Sequence, residues 1–132
     1  MPLKDPKIGL ITILTDNISR MLRFYQNTLG FTVQSKLGEY VEFETDEVRF
    51  ALCSRKTMQQ ATGNRGYTEK PAGHSFELAF PVETPEDVDS RYKELIAGGA
   101  KPIKAPADMP WGQRTAFFAD PDGNIHEIFS NM

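Results

Sequence analysis

The chain opens its ordered pattern with residues 8–14, Ile-Gly-Leu-Ile-Thr-Ile-Leu, a short apolar β-branched run that reads as a buried strand. Asp16 then offers an N-cap carboxylate. Ile18, Met21, Leu22, Tyr25 and Leu29 follow at helical spacing, and Gly30 stands where a left-handed stop is needed. Three strands are expected next, at 31–36, 40–44 and 48–54, with turns at Gly38 and Asp46-Glu47.

The second half repeats this order. Residues 75–82 read as a strand. Thr84-Pro85-Glu86-Asp87 is a helix start with a cap, a proline at the first helical position and an acid at the third. Val88, Tyr92, Leu95 and Ile96 give the apolar face, and Gly98-Gly99 ends it. Strands at 101–104, 115–119 and 125–130 complete the half, the last hairpin turning at Asp122-Gly123. The pattern is βαβββ twice, and Asp16 to Thr84 and Gly30 to Gly98 are both about 68 positions apart, an internal duplication. The modules span about 8–54 and 74–131. Residues 55–73, polar and long for a compact domain, are expected to form a linker or lid, and the Pro-rich stretch 105–113 a second solvated connection.

Composition narrows the class. At 132 residues, 39% hydrophobic and 25% charged, the chain is one domain of ordinary globular type. A net charge of −3 gives no basic stripe for nucleic acid. The single cysteine, Cys53, cannot form an internal disulfide. No apolar segment is long enough to span a membrane, so a cytoplasmic protein is expected.

Three groups of residues now carry a resemblance. Asp16, Phe24-Tyr25 and Leu29-Gly30-Phe31 resemble the opening helix of vicinal-oxygen-chelate modules. Asp120-Pro121-Asp122-Gly123-Asn124 followed by Glu127 resembles their closing hairpin, and Trp111-Gly112-Gln113-Arg114 a strand entry of the bleomycin-resistance branch. The chain is thus similar, over roughly 8–129, to the superfamily of glyoxalases, bleomycin-resistance proteins and extradiol dioxygenases. The resemblance implies an α+β fold of two βαβββ modules whose mixed sheets curl into one cup, with helices outside. It also implies a homodimer, with modules paired within one chain or between two.

Strand alternation sorts the faces independently of the family. Phe76, Leu78 and Phe80 match the helix stripe, so Glu77 and Ala79 point the other way. By the same logic Tyr40, Glu42, Arg49, Ala51, Cys53, Ile125, Glu127 and Phe129 face inward. The seventh strand is ambiguous, and Phe117 is favoured over Phe118. Trp111 falls near the rim. Tyr40, Glu42, Arg49, Cys53, Glu77, Trp111, Phe117 and Glu127 are therefore the candidate ligand-binding residues. So many charges on an inner wall are costly unless water or ligand reaches them. The plainer reading is that Glu42 and Arg49 pair across strands.

By resemblance, four inward positions would hold a divalent metal, and here they are Gly9, Ala51, Glu77 and Glu127. Two of these have no donor. Two carboxylates are a poor set for zinc, nickel or iron. His126 faces away from Glu127 and His74 sits at a loop end, so neither is expected to be a ligand. No metal cofactor is expected. If Glu77 and Glu127 are close, one should hold a raised pKa or share a proton.

Three functions remain open. One is a metal-independent binder of a cationic or aromatic small molecule, with Trp111, Phe117 and Tyr40 stacking and the acids meeting charge. Another is a lyase, isomerase or epimerase on an α-carbonyl substrate, with Glu127 as tentative catalytic base or with a weakly bound divalent ion. The third is a non-catalytic module acting through protein contacts, its cup filled by its own side chains.

Overall fold

The structure is a computed structural model and describes residues 4–132. It contains two four-stranded mixed sheets with helices and no closed barrel, the α+β class expected. The chain divides into two compact units: residues up to Leu22 with Gly30–Lys70, and Arg23–Leu29 with Pro71–Met132.

In the first unit β1 (Leu10–Thr15) runs parallel to β4 (Arg49–Ser54), which is antiparallel to β3 (Tyr40–Phe43), itself antiparallel to β2 (Val33–Leu37). Helix α1 (Ile18–Arg23) follows β1. Its cap is Asn17, whose Oδ1 accepts from Arg20 N at 3.0 Å, and not the expected Asp16. Asp16 instead reaches the Arg55 guanidinium at 3.6 Å. Gly30 has φ +90°, as the stop position requires. Phe31, Phe43 and Phe50 pack with centroids 5.2 to 5.6 Å apart, over buried Met21, Val41 and Leu52.

The expected loop at 55–73 is largely ordered otherwise. Helix α2 (Arg55–Thr62) forms because Ser54 accepts from Thr57 N at 3.1 Å, and Gly63 at φ +68° ends it. A single 3₁₀ turn, Arg65–Tyr67, follows under an Asn64 cap.

In the second unit β5 (Ala79–Pro81) runs parallel to β8 (Ile125–Asn131). β8 is antiparallel to β7 (Gln113–Ala119), and β7 to β6 (Lys101–Met109). Helix α3 (Pro85–Ala97) starts at the expected capping box: Thr84 Oγ1 accepts from Asp87 N, and Asp87 Oδ2 accepts from Thr84 N, both at 3.2 Å. Its Val88, Tyr92 and Leu95 are buried with Phe118, Ala116 and Ile128 of the sheet. A single π-helical turn, Phe24–Thr28, also belongs to this unit, closed by Leu29 N–H to Phe24 O at 3.0 Å. Thr28 there donates to the Gly98 carbonyl at 2.8 Å.

Two expectations fail in this unit. The strand expected at 75–82 is only three residues long, and Phe76 is 62% exposed rather than packed under the helix. The Pro-rich 105–113 is not merely a connection, since β6 runs on to Met109. β6 is an edge strand, where proline costs no internal ladder bond, and its register shifts around Pro102 and Lys104. Among the described residues no helix is long and apolar enough to cross a membrane.

Candidate functional site

Two polar clusters stand out, one in each unit. In the first, Glu42 lies on β3 opposite Ala51, so Arg49 on β4 is its diagonal neighbour. The guanidinium donates from Nε to Glu42 Oε2 at 2.8 Å and from Nη2 to Oε1 at 2.7 Å, a two-point grip. Tyr40 adds its hydroxyl to Oε1 at 2.8 Å. These bonds, Arg49 first, hold the Glu42 carboxyl down at about 2. The Glu42 side chain is 9% exposed and that of Arg49 61%, so the pair runs from a buried carboxylate out to the surface. The cross-strand pairing reading is therefore correct, and Arg49 is already engaged. Cys53, opposite Tyr40, is 1% exposed, and burial raises its thiol pKa. The structure gives it almost no solvent access.

The second cluster is built on β8. Alternation sends His126, Ile128 and Ser130 into the core and leaves Ile125, Glu127 and Phe129 half-buried on the other face. The ladder sets Phe117 opposite Glu127 and Thr115 opposite Phe129, while Ala79 stands opposite Glu127 on the other side. This settles the ambiguous strand: Phe117 shares the face of Glu127, and Phe118 is fully buried, stacked on Phe80 at 6.3 Å. Thr115 is also fully buried, and its Oγ1 has no hydrogen-bond partner among the described residues.

Glu77 lies two residues before Ala79, and its carboxyl comes near enough to Glu127 to act on it. Burial first, then the Glu77 carboxyl, push the Glu127 carboxyl up to about 7. A neighbouring carboxylate disfavours the charged form, so Glu127 holds its proton toward neutrality. Beside them is an open hollow of about 320 Å³ lined by His74, Ser75, Phe76, Glu77 and Ile125. Phe76 and His74 belong to this wall; the sequence reading extended the strand through Phe76 and packed it under the helix, and it left His74 at a loop end without a role. Trp111, at the β6–β7 turn, is 58% exposed and donates from Nε1 to Gln113 Oε1 at 2.9 Å.

Behind β8 stands a buried chain. Tyr25 Oη donates to Asp120 Oδ2 at 2.6 Å and lies 2.8 Å from His126 Nε2. Asp120 also accepts from Asp122 N, Asn124 N and Asn124 Nδ2 at 2.8 to 3.0 Å, so the Asp-Pro-Asp-Gly-Asn turn wraps its own carboxylate. Burial and Asp120 push the Tyr25 hydroxyl pKa upward. Burial lowers that of His126, against the pull of Asp120, Glu77 and the Ile125 carbonyl.

The sequence model of the Glyoxalase/Bleomycin resistance protein/Dioxygenase superfamily matches residues 7–128. The chain belongs to that superfamily. It is 34% identical over 130 residues to the uncharacterized protein YraH of Bacillus subtilis, covering 96% of this chain and 99% of YraH. A glyoxalase/bleomycin resistance protein/dioxygenase from Nocardioides superposes with TM-score 0.88 at 28% identity, over 99% of this chain and 87% of that one. Lactoylglutathione lyase from Agrobacterium tumefaciens shares the fold at TM-score 0.69 and 21% identity, over 96% of each chain. Superfamily members bind small-molecule substrates.

The donor set does not fit the metal of metal-dependent relatives. In the first unit Gly9 and Ala51 offer no ligand atom, and Ala51 is fully buried. In the second, Glu77 and Glu127 offer carboxylate oxygens alone. Among the described residues no three His, Cys, Asp or Glu side chains cluster as a metal site. Zinc, nickel and iron favour imidazole or thiolate, which this pair lacks.

Proposed function

We propose that this glyoxalase-superfamily chain is a metal-independent binder of a small organic cation, taken up at the Glu77–Glu127 pair. The observation that carries this is an open, partly aromatic hollow lined by Glu77, with the half-buried Glu127 carboxyl, raised by burial and by Glu77, as its neighbour. A protonated nitrogen arriving beside them takes the place of the Glu127 proton and favours the ionised carboxylate. Phe117, opposite Glu127, and exposed Phe76 offer ring faces to the rest of the ligand. Sequestration of a drug or metabolite fits such a site. The benzylammonium ion is a suitable probe. Its affinity should be unchanged by chelator and fall at least about tenfold when Glu77→Gln and Glu127→Gln are combined, a loss of about 1.4 kcal/mol. Affinity unchanged in the double variant contradicts the proposal.

One observation favours a second reading. A carboxyl held at about 7 suits a general base at neutral pH. Glu127 would then take a proton from carbon next to a carbonyl: the C–H bond breaks, the Glu127 O–H forms, and the electron pair moves to the carbonyl oxygen. A lyase, isomerase or epimerase could be built on that step. Turnover of a hemithioacetal in chelator, abolished by Glu127→Gln, supports it, and no turnover of any α-carbonyl compound excludes it. The expectations of a homodimer and of a cytoplasmic location are carried forward as part of this proposal.

A further inference from the structure

Glu77 meets Glu127 although the chain that carries it is not yet strand. The β5–β8 ladder begins at Ala79 opposite Glu127. Before it, Leu78 is tied down twice. Its carbonyl accepts from Glu127 N at 2.9 Å, and its N–H donates to His126 Nδ1 at 3.3 Å. Where a continuing sheet would present a backbone carbonyl to that N–H, a side chain does so instead.

We infer that His126 is the positioning residue of the acid pair: its Nδ1 holds the Leu78 N–H and thereby keeps Glu77 against Glu127. The inference rests on the reading of that pair as the ligand site and assigns His126 no contact with ligand. The ring is well placed for this task. It is 2% exposed, with Phe118 and Phe80 edge-on at 5.9 and 6.0 Å between centroids. A backbone N–H can only donate, so Nδ1 must be unprotonated, and the proton of the neutral ring sits on Nε2. Nε2–H then donates to Tyr25 Oη at 2.8 Å, and the Tyr25 hydroxyl donates onward to Asp120 at 2.6 Å. The relay runs one way, from Leu78 N–H to the wrapped Asp120 carboxylate. The charged and titratable groups around the ring are Asp120 from the β7–β8 turn, Tyr25 from the π turn and Glu77 from the segment before β5.

Two substitutions separate the two ends of the ring. His126→Asn keeps an acceptor at the Nδ1 position, whereas His126→Gln keeps a donor at the Nε2 end and leaves Leu78 N–H without an acceptor. In the full chain, NMR should show the His126 proton on Nε2 and a hydrogen-bond coupling from the Leu78 amide to Nδ1. Exchange of the Leu78 amide should quicken about tenfold or more in H126Q and less than about threefold in H126N. The raised Glu127 carboxyl should persist in H126N and fall toward its ordinary value in H126Q, and benzylammonium affinity should follow the same order. A proton on Nδ1, or no coupling to Leu78 in the wild-type chain, overturns the inference even if neither variant folds. So does a pair that titrates alike in both variants. If the wild-type chain fails to bind benzylammonium, the ligand reading falls, while the tautomer, exchange and titration results still decide the role of His126.

Discussion

Burial first, and then the neighbouring Glu77 carboxyl, raise the Glu127 carboxyl to about 7 from an ordinary 4.5. A carboxyl raised in the folded state binds more protons folded than unfolded across that interval. Stability is therefore full below about 4.5, falls as pH rises to about 7, and stays reduced above it. After allowance for solvent screening of a half-exposed group, the loss is about 1 kcal/mol. Urea midpoints between pH 4.5 and 7.5 should fall with pH in the wild-type chain relative to Glu127→Gln, both chains keeping the opposite slope that the lowered His126 contributes. The same profile in both would show that Glu127 does not hold the proton.

The Glu42–Arg49 grip has the opposite sign. Glu42 is depressed from 4.5 to about 2, so its contribution is present above 4.5 and lost as pH falls toward 2. Arg49→Met should remove most of the acid sensitivity in that range. Denaturation midpoints at pH 5 and pH 3 for both chains check this, and an unchanged difference between the two pH values contradicts it.

Tyr25→Phe deletes the hydroxyl that links His126 to Asp120. It leaves a buried carboxylate one donor short and the imidazole Nε2–H without its acceptor. The expected cost is about 2 to 3 kcal/mol in urea unfolding. A cost below about 0.5 kcal/mol would mean that water replaces the hydroxyl.

Thr115 presents a fully buried hydroxyl without a hydrogen-bond partner among the described residues. Thr115→Val keeps the shape and removes the unsatisfied group, so the ligand-free chain should be more stable by about 1 kcal/mol. Destabilisation of that size would reveal a bound water or another partner at this hydroxyl.

The fold was readable because each half repeats signals with local causes. Thr84 and Asp87 form the capping box that their spacing announces, and Gly30 takes the left-handed conformation its position requires. The alternation of β8 separated Glu127 from His126 correctly, since both faces of that strand contain discriminating residues. What escaped were contests between local signals. Asp16 and Asn17 both can cap α1, and Asn17 does, leaving Asp16 near Arg55. Helix α2 looked like loop because it buries no residue, although Ser54 and Gly63 marked its ends. Phe76 looked like core by period, but β5 begins only at Ala79. The tie between His126 and Leu78 joins residues 48 positions apart, and no local pattern encodes it.

The most direct test of the account is calorimetric titration of benzylammonium into chelator-treated protein near pH 7, in two buffers of different ionisation enthalpy. Binding without added metal, with release of a fraction of a proton per site, is the predicted result, because the cation displaces the proton held by the Glu127 carboxyl at about 7. No binding in chelator, restored by a stoichiometric divalent ion, would contradict it and show that the pair serves a metal after all.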